Sequence, residues 1–358
     1  MRILIDTLLL QRTPTGMEYY LADLLEAIPE VDPENQYYLT PEHKNSQFRN
    51  FYKTFPHKAR ISFHLIHYPA FYWRSLGPSA RVVFTVHDLL YLSYPKEFPR
   101  GLAIRLARQQ REMIEKAAGV ITCTPRIKQE VVKFLGISPG RVYVVPLAPA
   151  PLFRPVRDAA ALAGIRKKYG LRTFLLCVSS FTPRKNLPFL VRAFALLKKE
   201  KSFQDLQLVL VGKQDGIWGS RIASEIQALA TQNGIIGDVL CPGYVSRQDL
   251  PVLYSAASLF VYPSVYEGFG LPPLEAMASG CPAVVLRDGV APEVAGTGAL
   301  VIEPGEPDTF AAGIAELLGD PERLERQKEA GFNWVQQFSW QRTARETVAV
   351  YRHLTGQK

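Results

Sequence analysis

Short apolar runs alternate with amphipathic stretches along most of this chain. In the first half, the apolar runs have the length and composition of strands that are buried on both faces of a parallel sheet. They cover residues 3–5, 62–67, 82–87, 119–122 and 142–145. Between them, the helical spacing of apolar residues predicts helices over residues 17–28, 100–118 and 125–135. Strands that alternate with helices predict a doubly wound α/β domain.

A second alternating series follows a stretch with four prolines, residues 146–157, which predicts a linker. The predicted strands are residues 174–178, 207–211, 239–242, 259–261, 283–286 and 300–302. The predicted helices are residues 187–200, 219–233, 247–257, 272–278 and 307–318. Because 358 residues are too many for one ordinary core, we expect two α/β domains, at residues 1–155 and 156–339.

Positive charge is concentrated in the first half of the chain. The net charge is +9, and residues 1–155 contain 20 Lys and Arg against 13 Asp and Glu, whereas the remaining residues contain 22 against 20. This asymmetry indicates an anionic partner. The basic residues that cluster there are Lys44, Arg49, Lys53, Lys58, Arg60, Arg100, Arg105, Arg108, Arg111 and Lys116. Since no nucleic-acid-binding module accompanies them, we expect an anionic membrane surface rather than a nucleic acid, with a solvated charged helix as the alternative.

The cysteine and hydropathy patterns indicate a cytoplasmic protein. The four cysteines have no metal-ligand spacing and are interpreted as reduced thiols. No apolar run approaches the roughly 20 residues of a membrane span. Asp6 interrupts the apolar start, which favours a first strand over a signal peptide. We therefore expect a cytoplasmic protein that is at most peripheral at the inner membrane.

The most distinctive segment follows the apolar run 259–261 and contains two carboxylates, Glu267 and Glu275. Its sequence is Pro263-Ser-Val-Tyr-Glu-Gly-Phe-Gly-Leu-Pro-Pro-Leu-Glu-Ala-Met-Ala-Ser-Gly-Cys-Pro282. A flexible turn ending at Gly270 leads into a helix that prolines open, and the free N–H groups of such a terminus favour a phosphate or a sugar hydroxyl. Carboxylates accept hydrogen bonds from the paired hydroxyls of a sugar or ribose. The alternative is that Glu275 only complements the helix dipole and Glu267 is a solvated loop residue.

A basic pair, Arg184 and Lys185, lies in another loop between a strand and a helix. The planar guanidinium and the compact ammonium together suit a diphosphate, although a solvated basic pair is the alternative. Asn186 is predicted to cap the helix that begins near Leu187.

Two residues in the first half lie where ligands of parallel sheets bind. His87 ends a predicted strand, where it could hydrogen-bond a sugar or its leaving phosphate, or be satisfied locally. Gly16 lies between the first strand and the first helix, and it lets the backbone approach a ligand.

Several familiar catalytic motifs are missing from the sequence. There is no Asp-x-Asp pair for a divalent ion, no Gly-x-Ser-x-Gly elbow, no Gly-x-x-x-x-Gly-Lys-Ser/Thr phosphate loop and no strict Gly-x-Gly-x-x-Gly. We therefore expect no catalytic metal and no resident cofactor.

The segment from Pro263 to Pro282 resembles the Glu-x7-Glu motif of retaining GT-B glycosyltransferases, the glycosyltransferase family 4 group. The stretch Pro183-Arg-Lys-Asn186 is similar to that family's diphosphate-binding loop, and Thr85-Val-His-Asp-Leu89 is similar to its histidine motif. Phe338-Ser-Trp340 resembles the start of the family's C-terminal segment. The resemblance implies two Rossmann-like doubly wound domains that face a central cleft, with a last helix, residues 340–358, crossing back to the N-terminal domain.

The resemblance also implies a role for each matching residue. Glu267 would bind hydroxyls of the transferred sugar, and Glu275 would bind the nucleotide ribose. The diphosphate would be held by Arg184 and Lys185, and His87 would approach the sugar from the first domain. The remaining contacts to the nucleotide sugar would come from Gly16, Tyr244, Val245, Phe269, Gly270 and Leu271. Thr15 replaces a second glycine of many relatives, and Ser180 stands where a small glycine-like residue is common.

The resemblance implies a retaining, metal-independent hexosyltransferase that uses a nucleotide sugar and a glycan or lipid-linked acceptor. The motifs are similar to those of mannosyltransferases of surface-polysaccharide assembly, so GDP-mannose is the first choice of co-substrate. Two alternatives stay open: a GT-B nucleotide-sugar epimerase, and a catalytically degenerate protein that binds a membrane surface.

Overall fold

The computed structural model describes residues 1–11, 16–40, 52–54, 61–70, 80–99 and 101–357. The chain divides into two compact units. The first consists of Met1–Ala148 with Phe338–Lys358, and the second of Pro149–Gln337. The division at residue 148 lies within the proline-rich stretch 146–157.

The first unit is built on a seven-stranded parallel sheet. Its strands are β1 (Arg2–Ile5), β2 (Gln36–Leu39), β3 (Lys53–Thr54), β4 (Leu65–Tyr68), β5 (Arg81–Val86), β6 (Gly119–Thr122) and β7 (Val142–Val144). The strand order is β3-β2-β1-β4-β5-β6-β7, and every pair is parallel. β2 and β3 were not predicted, because one is a short polar and aromatic run and the other is only two residues long.

The described helices of this unit are α1 (Gly16–Val31), α2 (Leu90–Ser93), α3 (Leu102–Lys116) and α4 (Pro125–Leu135). The spacing of apolar residues predicted α1, α3 and α4, whereas the four-residue α2 was not predicted. Local chemistry fixes the ends of α4. The Thr124 side chain accepts a hydrogen bond from Ile127 N, Pro125 occupies the first turn, and Gly136 ends the helix with a left-handed φ of 70°.

The second unit contains a six-stranded parallel sheet. Its strands are β8 (Thr173–Val178), β9 (Leu206–Val211), β10 (Val239–Gly243), β11 (Leu259–Tyr262), β12 (Ala283–Leu286) and β13 (Ala299–Ile302). The order β10-β9-β8-β11-β12-β13 makes β8 and β11 neighbours, although 80 residues separate Val178 from Leu259 along the sequence. The winding direction reverses between these two strands, and ligands of such sheets bind at the carboxyl ends of the strands beside a reversal of this kind.

Two groups of helices cover this sheet. The helices are α5 (Ala159–Tyr169), α6 (Leu187–Leu197), α7 (Gly216–Gln232), α8 (Leu250–Ala256), α9 (Leu271–Ala278), α10 (Ala291–Ala295), α11 (Pro307–Gly319) and α12 (Pro321–Val335). α6 packs against α7 and α11, whereas α8 packs against α5 and α9, and α9 also contacts α12. α5, α10 and α12 were not predicted as helices.

The last helix, α13 (Trp340–Thr355), returns to the first unit and packs along α1. Ser339 caps its start, accepting a hydrogen bond from Arg342 N at 3.2 Å. Farther along, Arg352 Nη2 donates to Asp32 Oδ1 at 3.0 Å. The prediction of a terminal helix that belongs to the N-terminal domain is confirmed. No helix in the described ranges combines the length and the apolar character needed to cross a membrane.

Candidate active site

Two loops at the reversal of the second sheet are fastened to each other. One follows β8 and contains Arg184, and the other follows β11. The backbone N–H of Val265 donates to the carbonyl oxygen of Arg184 at 2.9 Å, and Ser264 Oγ lies 3.3 Å from the same oxygen. Because β8 and β11 are parallel neighbours, their carboxyl ends lie at one edge of the sheet, and the two predicted motifs meet there.

A buried ion pair joins these loops. Lys185, which is 7% exposed, donates from Nζ to Oε1 of Glu267 and to the Tyr262 hydroxyl, the latter at 3.0 Å. The same Oε1 accepts from the Tyr262 hydroxyl at 2.7 Å and from Ser264 Oγ at 2.6 Å. No residue in the described ranges donates a hydrogen bond to Oε2 of Glu267. One carboxylate oxygen is therefore held by three side chains, while the other can accept from a ligand.

Within the pair, each charge opposes the effect of burial on the other partner. Burial raises the pKa of Glu267, but the charges of Lys185 and Arg184 outweigh that effect and hold the pKa below its ordinary value. Burial lowers the pKa of Lys185, the Glu267 charge opposes this, and the nearby Arg184 charge adds to the lowering. A buried charge pair needs such close hydrogen bonding to offset its lost hydration.

Arg184 is only partly buried and donates from Nη1 to Thr182 Oγ1 at 3.2 Å. It lies in a single 3-10 turn, Pro183–Lys185, that leads into α6. The turn ends at Asn186, whose φ is 56°. Among the described residues, Asn186 is the one non-glycine residue with a positive φ. α6 begins at Leu187 as predicted, but the Asn186 side chain makes no capping hydrogen bond. The capping prediction is wrong because Asn186 serves the left-handed backbone of the turn instead, a conformation that asparagine tolerates.

The start of α9 presents backbone donors and requires glycine. Gly270 has a φ of +85°, where a side chain would be strained. In the part of the chain that the structure describes, the N–H groups of Gly270 and Leu271 donate to no acceptor. The preceding Phe269 is buried. Glu275, in the second turn of α9, accepts a hydrogen bond at Oε2 from the Tyr254 hydroxyl at 3.1 Å.

The two residues predicted to line the base pocket differ in exposure. Both follow β10, and Tyr244 is 57% exposed whereas Val245 is 2% exposed. The ring of Tyr244 is accessible for stacking on a base. The side chain of Val245 belongs to the core, which leaves its backbone for any contact with a ligand.

In the first unit, His87 follows directly after β5, which ends at Val86, one residue before the predicted end. Its Nε2 donates to the carbonyl oxygen of Pro69 at 2.9 Å, so the proton of the neutral ring is on Nε2. Burial lowers the pKa of His87, and the Pro69 carbonyl and the Asp88 charge oppose the lowering. Nδ1 has no hydrogen bond within the described ranges, so a neutral His87 keeps one acceptor for a ligand.

Gly16 is the exposed first residue of α1, and a Cβ there would meet nothing within 4 Å. The adjoining Thr15 lies outside the described residues. So do several of the basic residues noted above, Lys44, Arg49, Lys58, Arg60 and Arg100. The described ranges hold no group of three His, Cys, Asp or Glu side chains that could bind a metal.

Three residues of this site were not predicted: Tyr254, Tyr262 and Ser264. The two tyrosines lie in apolar runs, where their rings indicate core packing and nothing in the local pattern shows that their hydroxyls contact Glu275 and Glu267. Ser264 lies in the segment from Pro263 to Pro282, three positions before Glu267. Its closeness to Glu267 along the sequence was the signal that could have identified it.

Comparisons with known proteins show which family the chain belongs to. Residues 163–334 match the family "Glycosyl transferases group 1", and residues 25–148 match "Glycosyltransferase Family 4". The O-antigen chain mannosyltransferase B of Escherichia coli is 32% identical over 276 residues, which cover 76% of this chain and 71% of that protein.

A second relative carries a co-substrate in its name. The GDP-mannose-dependent alpha-(1-6)-phosphatidylinositol monomannoside mannosyltransferase of Mycolicibacterium smegmatis is 29% identical over 242 residues, 64% of this chain and 61% of that protein. Among solved structures, sucrose-phosphate synthase from Thermosynechococcus elongatus shares the fold, with a TM-score of 0.78 over 99% of both chains at 21% identity. The two parallel-sheet units, the returning helix and the family matches lead to one conclusion: this chain belongs to the group 1, family 4 glycosyltransferases and is a glycosyltransferase with the GT-B fold.

Proposed function

We propose that this protein transfers mannose from GDP-mannose to a glycan or lipid-linked acceptor, with retention of anomeric configuration and without a metal ion. The reaction would serve cell-surface polysaccharide assembly at the cytoplasmic side of the membrane. Two relatives support the sugar: one is named an O-antigen chain mannosyltransferase, and the other is named GDP-mannose-dependent.

The observation that carries this proposal is the Glu267 carboxylate, fixed through Oε1 and open at Oε2. A carboxylate held in this way accepts hydrogen bonds from sugar hydroxyls without having to reorganise, which is the condition for strong preorganised binding. Lys185 supplies the fixing charge from a buried position. The partly exposed Arg184 in the same turn is then the side chain that can reach a diphosphate, where its planar fork suits paired phosphate oxygens.

In the proposed reaction, the bond between the anomeric carbon and the phosphate oxygen breaks, and nucleoside diphosphate leaves. The acceptor hydroxyl forms the new bond to the anomeric carbon from the same face, and its proton passes to the departing phosphate. The positive charges of Arg184 and Lys185 stabilise the charge that develops on the diphosphate. The N–H groups of Gly270 and Leu271 add further donors at a helix N-terminus, and Glu275 binds the ribose.

In the first unit, His87 offers a neutral acceptor nitrogen, Nδ1, to a hydroxyl of the sugar. Nε2 is already bound to Pro69 O, so the ring presents a defined tautomer. An uncharged histidine also does not repel the positive charge that develops on the oxocarbenium-like sugar during the reaction.

The test is a panel of nucleotide sugars, GDP-mannose, UDP-glucose and UDP-N-acetylglucosamine among them, measured by calorimetry in the presence of EDTA. We expect saturable binding of GDP-mannose that Glu267→Gln and Arg184→Ala abolish and that Glu322→Gln leaves unchanged. Glu322 is a suitable control because it is a highly exposed carboxylate of α12 in the same unit.

Transfer is then followed with a mannose-terminated lipid acceptor. Product whose new linkage has the anomeric configuration of the donor supports the proposal, and an inverted product refutes it. Conversion of the nucleotide sugar without acceptor identifies an epimerase. Tight binding of a different nucleotide sugar refutes mannose as the transferred unit, but it leaves the proposed retaining, metal-independent sugar transfer in place.

We also propose that α3 contacts an anionic membrane surface. Its exposed residues include Arg105, Arg108 and Arg111, and Ile104 is 77% exposed beside them. Basic and apolar side chains on one helix are the combination that binds at a lipid interface. Co-sedimentation with vesicles should rise with their anionic lipid content, and Ile104→Ser combined with Arg108→Ser should reduce it. Sedimentation that is independent of lipid charge contradicts this role.

A further inference from the structure

A buried chain of hydrogen bonds crosses the first unit and ends beside His87. The Tyr351 hydroxyl lies 2.6 Å from His67 Nδ1, and His67 Nε2 lies 2.8 Å from Thr85 Oγ1. Thr85 Oγ1 lies 3.2 Å from the hydroxyl of Tyr20. These four residues belong to α13, β4, β5 and α1, and all four are almost fully buried. The chain therefore connects four elements through side chains alone.

His67 takes part in this chain as a neutral ring. Burial, with a small contribution from His87, lowers the pKa of His67 to about 3. A neutral imidazole donates with one nitrogen and accepts with the other. Within the described ranges, the hydroxyl of Tyr20 has no partner other than Thr85. The position of this hydroxyl thus depends on a sequence of bonds that begins on α13.

The ring of Tyr20 is held on two sides. Its centroid lies 4.6 Å from that of His87, at an interplanar angle of 78°, so the two rings meet edge to face. On another side, Trp340 lies with its ring centroid 6.0 Å away. Among the described residues the buried Nε1 of Trp340 has no hydrogen-bond partner, so Trp340 contacts Tyr20 by packing. Tyr20 is therefore attached to α13 twice, through Trp340 and through the hydrogen-bonded chain to Tyr351.

His87 needs such a support. Its bond from Nε2 to Pro69 O fixes one atom of the ring, and the ring can still turn about that contact. The edge-to-face contact with Tyr20 fixes the plane, and with it the direction of Nδ1. A catalytic group that is displaced by about 1 Å can cost about 100-fold in rate, so this plane matters for transfer.

We propose that Tyr20 is a positioning residue for His87, and that the C-terminal helix α13 holds it in place through Trp340 and through Tyr351, His67 and Thr85. This inference rests on the proposed role of His87 in sugar transfer. It predicts that Tyr351, which has no hydrogen bond or ring contact with His87 among the described residues, influences the reaction.

The first experiment is a double-mutant cycle. Tyr20→Leu removes the ring edge, and it should lower kcat by about 10- to 100-fold while leaving the KM for the nucleotide sugar within about twofold. Tyr20→Phe keeps the ring and should lose less, and Tyr351→Phe should resemble it. In a His87→Ala background, Tyr20→Leu should have no further effect on kcat. An equal loss in both backgrounds would show that Tyr20 is merely structural and would overturn the proposal.

Tyr37→Phe is the matched control, because Tyr37 is another buried tyrosine of this unit, and its hydroxyl donates to Asp32. It should lower the unfolding temperature without changing kcat. A loss of kcat in this control equal to that in Tyr20→Phe also counts against the proposal.

A second measurement is independent of turnover. Nitrogen-15 shifts of the histidine ring should report the Nε2–H tautomer for His87, and Tyr20→Leu should shift or broaden the signal of the unprotonated Nδ1 because the ring plane is no longer held. If no nucleotide sugar supports transfer, the proposed function fails, but unchanged His87 shifts in Tyr20→Leu still decide against positioning. If Glu267→Gln abolishes transfer while His87→Ala does not alter kcat, the sugar-transfer function stands and the inference about Tyr20 is wrong.

Discussion

Replacing Glu267 by glutamine tests both the contribution of its charge to stability and its proposed role in sugar transfer. The substitution keeps an oxygen that can accept from Tyr262 and Ser264, but it removes the negative charge beside Lys185. The side chains of Lys185 and Glu267 are only 8% and 12% exposed, so solvent screens them weakly. Removing one partner of a buried ion pair costs about 3–5 kcal/mol, and the retained hydrogen bonds place this variant near 3 kcal/mol.

This loss should be visible as a change in unfolding temperature. The second unit contains about 190 residues, for which 1 kcal/mol shifts the midpoint by about 2–4 °C. We therefore expect the unfolding transition of this unit to fall by about 6–12 °C at neutral pH.

The loss should shrink as the pH rises. Without Glu267, the pKa of Lys185, already lowered by burial, falls further below its value in the unfolded chain. Between these two values the unfolded state binds more protons, so the stability of the variant increases with pH up to about 10.4.

Calorimetric unfolding of three variants tests this reasoning. Glu267→Gln and Lys185→Met should each be destabilised, whereas the double variant should recover most of the loss because no unpaired charge remains. None of the three should bind or transfer the sugar, and Glu322→Gln should behave as wild type. A double variant that loses the sum of the two single effects would refute the ion-pair argument, and wild-type turnover by Glu267→Gln would refute the proposed role of the carboxylate.

Three further predictions concern other parts of the molecule. Tyr254→Phe removes a hydrogen bond to Glu275 of about 1 kcal/mol, so calorimetry should show nucleotide binding weakened about fivefold; unchanged affinity would separate Glu275 from the ribose. Gly270→Ala strains a φ of +85° by about 1–2 kcal/mol and should reduce nucleotide-sugar affinity in the same titration; wild-type affinity would contradict a role for this turn. The unfolded chain protonates His67 near pH 6.5 but the folded chain only near pH 3, so stability should fall as the pH drops through this window. His67→Gln should lessen that slope by about 1.4 kcal/mol per pH unit in urea titrations, and an equal slope would contradict a neutral His67.

Most of the secondary structure could be read from local patterns. The strand at residues 119–122 and the helix at residues 125–135 agree with β6 and α4 residue for residue, because a short β-branched run, a threonine cap and a closing glycine are all local signals. β3 could not be found in this way, since two residues carry no period. Its existence depends on pairing with β2.

The sequence also indicated the loops of the candidate site. Arg184, Lys185, Glu267 and Glu275 were identified from their positions after apolar strands and from a resemblance to a family. From the pattern of residues alone, each of them could also have had a role that involves no ligand. For Lys185, that alternative was a solvated charge, and the structure instead places the side chain in the interior.

The sequence by itself determined the alternation of strands and helices, the glycine at the start of α9 and the residue types at each loop, because these follow from interactions within a few positions of the chain. Only the tertiary structure decided that Lys185 and Glu267 form a pair, since their 82-residue separation is closed by the adjacency of β8 and β11. Likewise, the chain from Tyr351 to Tyr20 exists because α13 packs on the first unit. Contacts of this kind depend on the order of strands in a sheet, which no local period encodes, and they determine which oxygen of a carboxylate, or which nitrogen of a histidine, is left for a ligand.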